Sequence, residues 1–148
     1  MKKWLTMLVV LATATGAFAG EGWETDFEKA KAAARAQGKY ILIDFSGSDW
    51  CGWCIKLDKE VFSQQAFKDY ARENLVLMLA DFPRDTSKQS AELRKQNKKL
   101  SEEFGVNGFP TVFLLDSNGR KLAKTGYRDG GPEAYVEHLK GLVSKVEK

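Results

Sequence analysis

The sequence predicts an α/β fold, with a central mixed β-sheet flanked by helices on both faces. Short apolar runs of strand length alternate with polar segments of helical length. The elements come in the order helix, strand, helix, strand, helix, hairpin, helix, and that order puts helices on both sides of the sheet. The hairpin is marked by one Asn-Gly pair, Asn118-Gly119.

The first helix spans residues 27–37. Thr25 or Asp26 caps it, Thr25 and Glu28 have capping-box spacing, and Gly38 is its natural stop. Residues 40–45 are a short apolar run with two isoleucines, which suits a buried strand. Residues 46–50 are a loop in which Ser46, Gly47 and Ser48 serve loop geometry. A helix starts near Cys51 and runs to about residue 61. After a break at Phe62-Ser63, a second helical stretch covers 64–73. Residues 75–80 form the next buried strand. A loop with Pro83 leads into a long polar helix over 87–104, whose basic residues make a solvated face. Residues 105–109 turn, and Pro110 follows. Residues 111–115 and 120–127 are the hairpin strands, and Pro132 opens a last helix that reaches about residue 146.

The chain has 148 residues, which fits one domain with a core that folds without staples. Its formal charge is +3, and its basic residues are interspersed with acidic ones. Nucleic-acid binding needs a basic stripe with aromatics, and the chain has none. Lys2 and Lys3, an apolar stretch over residues 4–15 and the small-x-small site Ala17-Phe18-Ala19 form a secretory signal peptide, residues 1–19. An uncleaved membrane anchor is the rival, but the stretch is short against the ~20 residues of a span. No Cys follows the cleavage site to carry a lipid. Cleavage of 19 residues removes two lysines and no acid. It leaves a 129-residue domain, 20–148, of charge +1 and without a second hydrophobic span. The destination is the periplasm or the exterior, where disulfides persist.

Two cysteines are too few for a disulfide framework, so their spacing carries the meaning. Cys51-Gly52-Trp53-Cys54 follows a strand and opens a helix. Unpaired amides and the dipole at a helix N-terminus favour a thiolate on the first cysteine. The i, i+3 spacing puts both sulfurs on one helix face, within reach of a disulfide. Cys51 is the nucleophile and Cys54 the resolving thiol. A metal site needs about four ligands, and the chain adds one distant histidine, His138, expected on the surface of the last helix. Haem attachment needs His after the second Cys, and residue 55 is Ile. A structural disulfide would close too short a loop to stabilise much.

Asp44 ends the strand before the loop. It is either an ordinary solvated carboxylate or a buried one exchanging a proton with Cys54, and its neighbours Ile43 and Phe45 favour burial. Pro110, after Phe109, is either a strand-entry proline or a cis proline that presents the Phe109 backbone to a peptide; spacing alone does not separate the two. Trp50 and Trp53 either form an apolar rim for a substrate or pack on the domain, with Trp53 the more exposed.

These residues resemble the thioredoxin superfamily. Ile41-Leu42-Ile43-Asp44-Phe45 followed by Trp50-Cys51-Gly52-Trp53-Cys54 is similar to its strand, buried Asp and WCGPC motif. Gly105-Val106-Asn107-Gly108-Phe109-Pro110-Thr111 resembles its G-x-x-G-hydrophobic-Pro-Thr segment, and Asp116 to Arg120 its hairpin. The resemblance covers nearly all of residues 24–146. It implies a thioredoxin-like fold, a cis Pro110 facing the disulfide, and a catalytic Asp44. It also implies thiol–disulfide exchange on exported protein substrates, without a cofactor. Three features depart from the pattern: Trp53 stands where thioredoxin has Pro, the 44–51 loop is one residue longer, and residues 56–67 are more similar to the C-terminal domain of the periplasmic disulfide-interchange reductase. The Gly-Trp dipeptide leaves reductase, oxidase and isomerase directions open. With one reactive pair, the chain needs a separate redox partner to reset it. A peptide-binding module with a permanent disulfide, docking through Trp50, Trp53 and Phe109, is the alternative. A metallochaperone is a third reading.

Overall fold

The computed structural model describes residues 22–148, so the leader expected over residues 1–19 lies outside them. The elements run β1 (Trp23–Glu24), α1 (Phe27–Gln37), β2 (Tyr40–Ser46), α2 (Gly52–Leu57) with a π-helical turn (Asp58–Phe62), α3 (Gln65–Asn74), β3 (Leu75–Asp81), α4 (Ala91–Phe104), β4 (Thr111–Leu115), β5 (Lys121–Thr125) and α5 (Gly131–Val146). The sheet order is β1-β3-β2-β4-β5. β3 pairs in parallel with β1 and β2, and β4 is antiparallel to β2 and β5. This is the expected α/β architecture, a mixed sheet covered on both faces. No helix among the described residues is long and apolar enough to cross a membrane.

The central strand β2 builds both cores by alternation. Successive side chains of a strand point to opposite faces. Ile41, Ile43 and Phe45 pack with Ala30, Met78, Leu100 and Phe113 on one face. Leu42 packs with Leu57, Phe67, Leu114, Tyr135 and Leu139 on the other. Asp44 shares the parity of Leu42, so its carboxylate enters the core on the side of α2. Fully burying each large aliphatic or aromatic side chain contributes about 1.5–3 kcal/mol, which offsets the ordering entropy of the strand.

Several boundaries differ from the sequence expectation, each for a local reason. Asp26, not Thr25, caps α1: its Oδ1 accepts the Lys29 N–H at 3.0 Å. Glu28 pairs with Lys31 at 2.7 Å and closes no capping box. α4 begins at Ala91 because the Ser90 hydroxyl accepts the Leu93 N–H, so residues 87–90 lie outside the helix. The helix opened at Cys51 widens at its end, where the Ser63 N–H donates to Asp58 O five residues back, 2.8 Å. β1 has no counterpart in the expected order, and β5 is shorter than residues 120–127.

Candidate active site

The sheet delivers β2 straight into the cysteine loop. The loop turns back on itself through Gly47, whose carbonyl accepts the N–H of Cys51 at 2.8 Å and of Trp50 at 3.2 Å. Cys51 is the N-cap of α2, and its Sγ accepts the Cys54 N–H at 3.2 Å. That donor favours a thiolate on Cys51 over a thiol once the pair is reduced. Cys51 and Cys54 are joined in a disulfide with Cα atoms 5.2 Å apart, and both are buried.

Aromatic side chains bound the disulfide on two sides. Trp50 is 39% exposed. Its Nε1 donates to Phe82 O at 2.7 Å, and its ring meets Phe109 edge-on, centroids 5.8 Å apart. Phe82 and Phe109 pack at 5.3 Å. Trp53 is 57% exposed and lies 5.0 Å from the Tyr127 ring. The Tyr127 hydroxyl donates to Glu60 at 2.7 Å. The Phe109–Pro110 bond is cis. The loop after β5 closes on it, since a Cβ at Gly126 would sit 3.4 Å from Pro110 O. Trp50, Trp53 and Ile55 are the exposed large apolar residues among those described, and all three flank the disulfide.

The loop before Cys51 is clasped from both directions. The Asp81 carboxylate accepts the Ser48 N–H at 2.9 Å and the Ser48 hydroxyl at 2.5 Å. In return the Asp49 carboxylate accepts the N–H groups of Arg84, 2.9 Å, and Asp85, 3.0 Å. Gly47 serves more than loop geometry: a Cβ there would overlap the Trp50 indole, 2.6 Å from Nε1. Ser48 likewise has a specific partner.

Behind the disulfide, Asp44 is buried and its Oδ1 finds no hydrogen-bond partner among the described residues. It lines a cavity of about 210 Å³ with Ser46, Cys54, Asp58, Phe62 and Leu79. Burial first, then the negative charges of Asp58 and Asp81, push its pKa up to about 8. A buried carboxylate that shares a cavity with Cys54 can hold a proton at neutral pH and release it above.

A family model described as a thioredoxin-like domain matches residues 27–140. The chain belongs to the thioredoxin-like family. The disulfide bond reductase DsbH of Chlamydia pneumoniae is 36% identical over 121 residues, 82% of this chain and 72% of DsbH. The thiol:disulfide interchange protein DsbD of Pseudoalteromonas atlantica is 31% identical over 80% of this chain, which spans only 18% of DsbD. Among solved structures, a DsbH oxidoreductase superposes with TM-score 0.79 at 31% identity, covering 97% of this chain and 95% of that one. The oxidised C-terminal domain of Neisseria meningitidis DsbD shares the fold, with TM-score 0.53 and 19% identity over 77% of this chain and 90% of that domain. In a thioredoxin-like fold with oxidoreductase relatives, the Cys51–Cys54 pair makes thiol–disulfide exchange the general chemistry of this chain.

The thioredoxin-like fold gathers all seven residues singled out from the sequence, Asp44, Trp50, Cys51, Trp53, Cys54, Phe109 and Pro110, at one end of the sheet. His138 is elsewhere and is half-buried, partly open to solvent: its Nε2 lies 2.9 Å from the Thr125 hydroxyl. Burial, Arg128 and Lys145 hold its pKa below the usual value. Among the described residues no cluster of three His, Cys, Asp or Glu could hold a metal. Sequence reasoning passed over Asp58, although its place four residues after Cys54 puts both on one helix face. It also passed over Phe82 and Tyr127, which come from distant loops and carry no local signal.

Proposed function

We propose that this chain is an exported protein-disulfide reductase in which Cys51 attacks, Cys54 resolves and Asp44 moves the proton. The observation that carries this reading is the shared cavity: an orphaned, buried Asp44 lies behind Cys54, while Cys51 caps the helix beside the exposed tryptophans. In the reduced protein the Cys51 thiolate attacks one sulfur of a substrate disulfide and expels the other as a thiolate. Asp44, ionised, takes the Cys54 proton. The Cys54 sulfur then attacks Cys51 Sγ and releases the second substrate sulfur. Two electrons pass to the substrate and the chain is left as the disulfide. Trp50, Trp53 and Phe109 are the docking rim, and the Phe109 backbone beside Pro110 is the pairing edge for an extended substrate segment.

The reductase direction is supported by the name of the Chlamydia pneumoniae relative, a disulfide bond reductase. The leader, residues 1–19, delivers the chain to the periplasm or beyond. A separate redox partner there resets the disulfide, in a relay of the kind that the relatives' names imply.

The test is the reduction potential of the Cys51–Cys54 couple. A value near about −270 mV is expected; near about −120 mV the chain would donate disulfides instead, and below about −300 mV the bond would be a permanent one in a binding module. In parallel, Cys51→Ser is expected to abolish insulin-disulfide reduction with unchanged circular dichroism. Retained activity would overturn the nucleophile assignment.

A further inference from the structure

The exposed aromatic patch around the disulfide is flanked by cations, and the two flanks are not alike. On the Trp53 side, the Lys56 ammonium sits 5.0 Å from the Trp53 ring and 5.2 Å from the Tyr127 ring. Glu60 lies 3.8 Å from Lys56 and also accepts the Tyr127 hydroxyl, so this cation is partly answered from within. On the Trp50 side, the Arg84 guanidinium lies 5.6 Å from the Trp50 ring centroid. None of the ion pairs among the described residues uses Arg84. Carboxylates stand nearby and keep their charge, but none of them pairs with the guanidinium. Asp49 holds the amides of Arg84 and Asp85, and Asp85 accepts the Ser87 N–H at 3.0 Å.

A guanidinium resting on an aromatic ring keeps its in-plane N–H donors for a carboxylate and has less freedom to lose when one binds. We infer that the exposed surface beside Cys51 takes partner segments with an acidic residue flanking the reactive cysteine, and that Arg84 is the specificity-determining contact. This rests on the oxidoreductase reading and adds a substrate class to it. The formal charge of the whole chain after leader removal is too small to impose such a preference by itself. Discrimination must come from direct contact with the Arg84 guanidinium, in a pair that salt weakens.

The experiment uses the reduced protein and three synthetic disulfide peptides, identical except for Glu, Ser or Lys beside the cysteine. Stopped-flow tryptophan fluorescence reads the second-order rate constants. At low salt the expected order is Glu over Ser over Lys, with about threefold per step. The order is expected to collapse at 1 M salt, where screening acts within ~3 Å. Arg84→Glu is expected to bring the Glu:Ser ratio to one or below. The same charge reversal at Lys148, which follows the Glu147 bonded to Tyr40 at the far end of β2, is expected to leave the ratio unchanged. Equal rates for the three peptides, a Glu:Ser ratio insensitive to Arg84→Glu, or an equal fall with Lys148→Glu would each overturn the inference while leaving disulfide exchange intact. Failure to reduce even the Ser peptide would overturn the reading beneath it.

Discussion

Asp44 and Asp49 stand five residues apart on one stretch of chain, in opposite surroundings. Asp44 lies within the central strand β2, is buried, and has an oxygen without a hydrogen-bond partner among the described residues. Asp49 stands in the exposed loop and accepts two backbone amides. Desolvation raises the pKa of the first to about 8. The amides of Asp85 and Arg84 lower that of the second. The same side chain is thus a buried group that holds its proton in one place and a charged fastener in the other. The strand's parity decides which, because residue 44 points inward and the loop points out. The two also bend stability with pH in opposite senses. A carboxyl with a raised folded pKa contributes stability that is complete below its unfolded value of 3.8 and is lost as pH rises through about 8. One with a depressed folded pKa contributes stability present above 3.8 and lost as pH falls through its folded value.

Neutralising the inner carboxylate tests that contrast hardest. In the wild type, Asp44 costs up to about 1.4 kcal/mol of stability per pH unit across that window. Asp44→Asn is expected to remove this slope and to be more stable than wild type at pH 8 by a few kcal/mol, less the cost of a buried amide. Its resolving step is expected to slow by about 10²-fold at pH 7, since the proton has lost its carrier. Urea unfolding across pH, beside single-turnover insulin reduction, reads both. A variant with the wild-type pH slope would show that Asp44 is not the group that titrates.

The hinge between the two carboxylates gives the next effect. Gly47→Ala drives a methyl into the Trp50 indole, and overpacking of that kind costs about 1–3 kcal/mol. The expected result is a lower urea midpoint and a larger exposure of Trp50 to acrylamide quenching. An unchanged midpoint would mean that the loop yields easily, and that Trp50 is not held as its bond to Phe82 implies.

Much of this molecule is legible in its sequence because much of it is local. Apolar runs mark β2, β3 and β4. Gly38 ends α1 in a left-handed conformation, as a glycine stop should. The cysteine spacing places both sulfurs at one helix end, and Ile43 and Phe45 foretell the burial of Asp44. What escapes is decided at long range. β1 is two residues long and exists through its register with Leu77 and Met78. Asp26 outcompetes Thr25 for the cap because Gln96, from α4, donates to the Thr25 carbonyl and accepts the Phe27 N–H. Gly47 and Ser48 look like generic loop residues until Trp50 and Asp81 come beside them. Tyr127 joins Trp53 only after the hairpin folds back. Asp58 was within reach of a spacing argument, since residues 54 and 58 share a helix face.

The outer carboxylate gives the smallest effect and the one most easily mistaken for loss of fold. Asp49 makes no hydrogen bond to either sulfur among the described residues. Its two amide bonds hold the segment of Phe82 and Arg84, and Phe82 in turn holds the Trp50 indole and packs on Phe109. Releasing it loosens the Trp50–Phe82–Phe109 cluster, the proposed docking rim, but leaves the Cys51 cap and the Asp44 cavity in place. Asp49→Ala is therefore expected to slow reduction of a protein disulfide several-fold, with exchange against dithiothreitol and the reduction potential unchanged. Its acid unfolding is expected to be less steep below pH 4, because the depressed carboxyl no longer has to be protonated. Equal losses on protein and small-molecule disulfides would mean that the clasp supports the cysteines themselves, and the division of labour between the inner and outer carboxylates would fail.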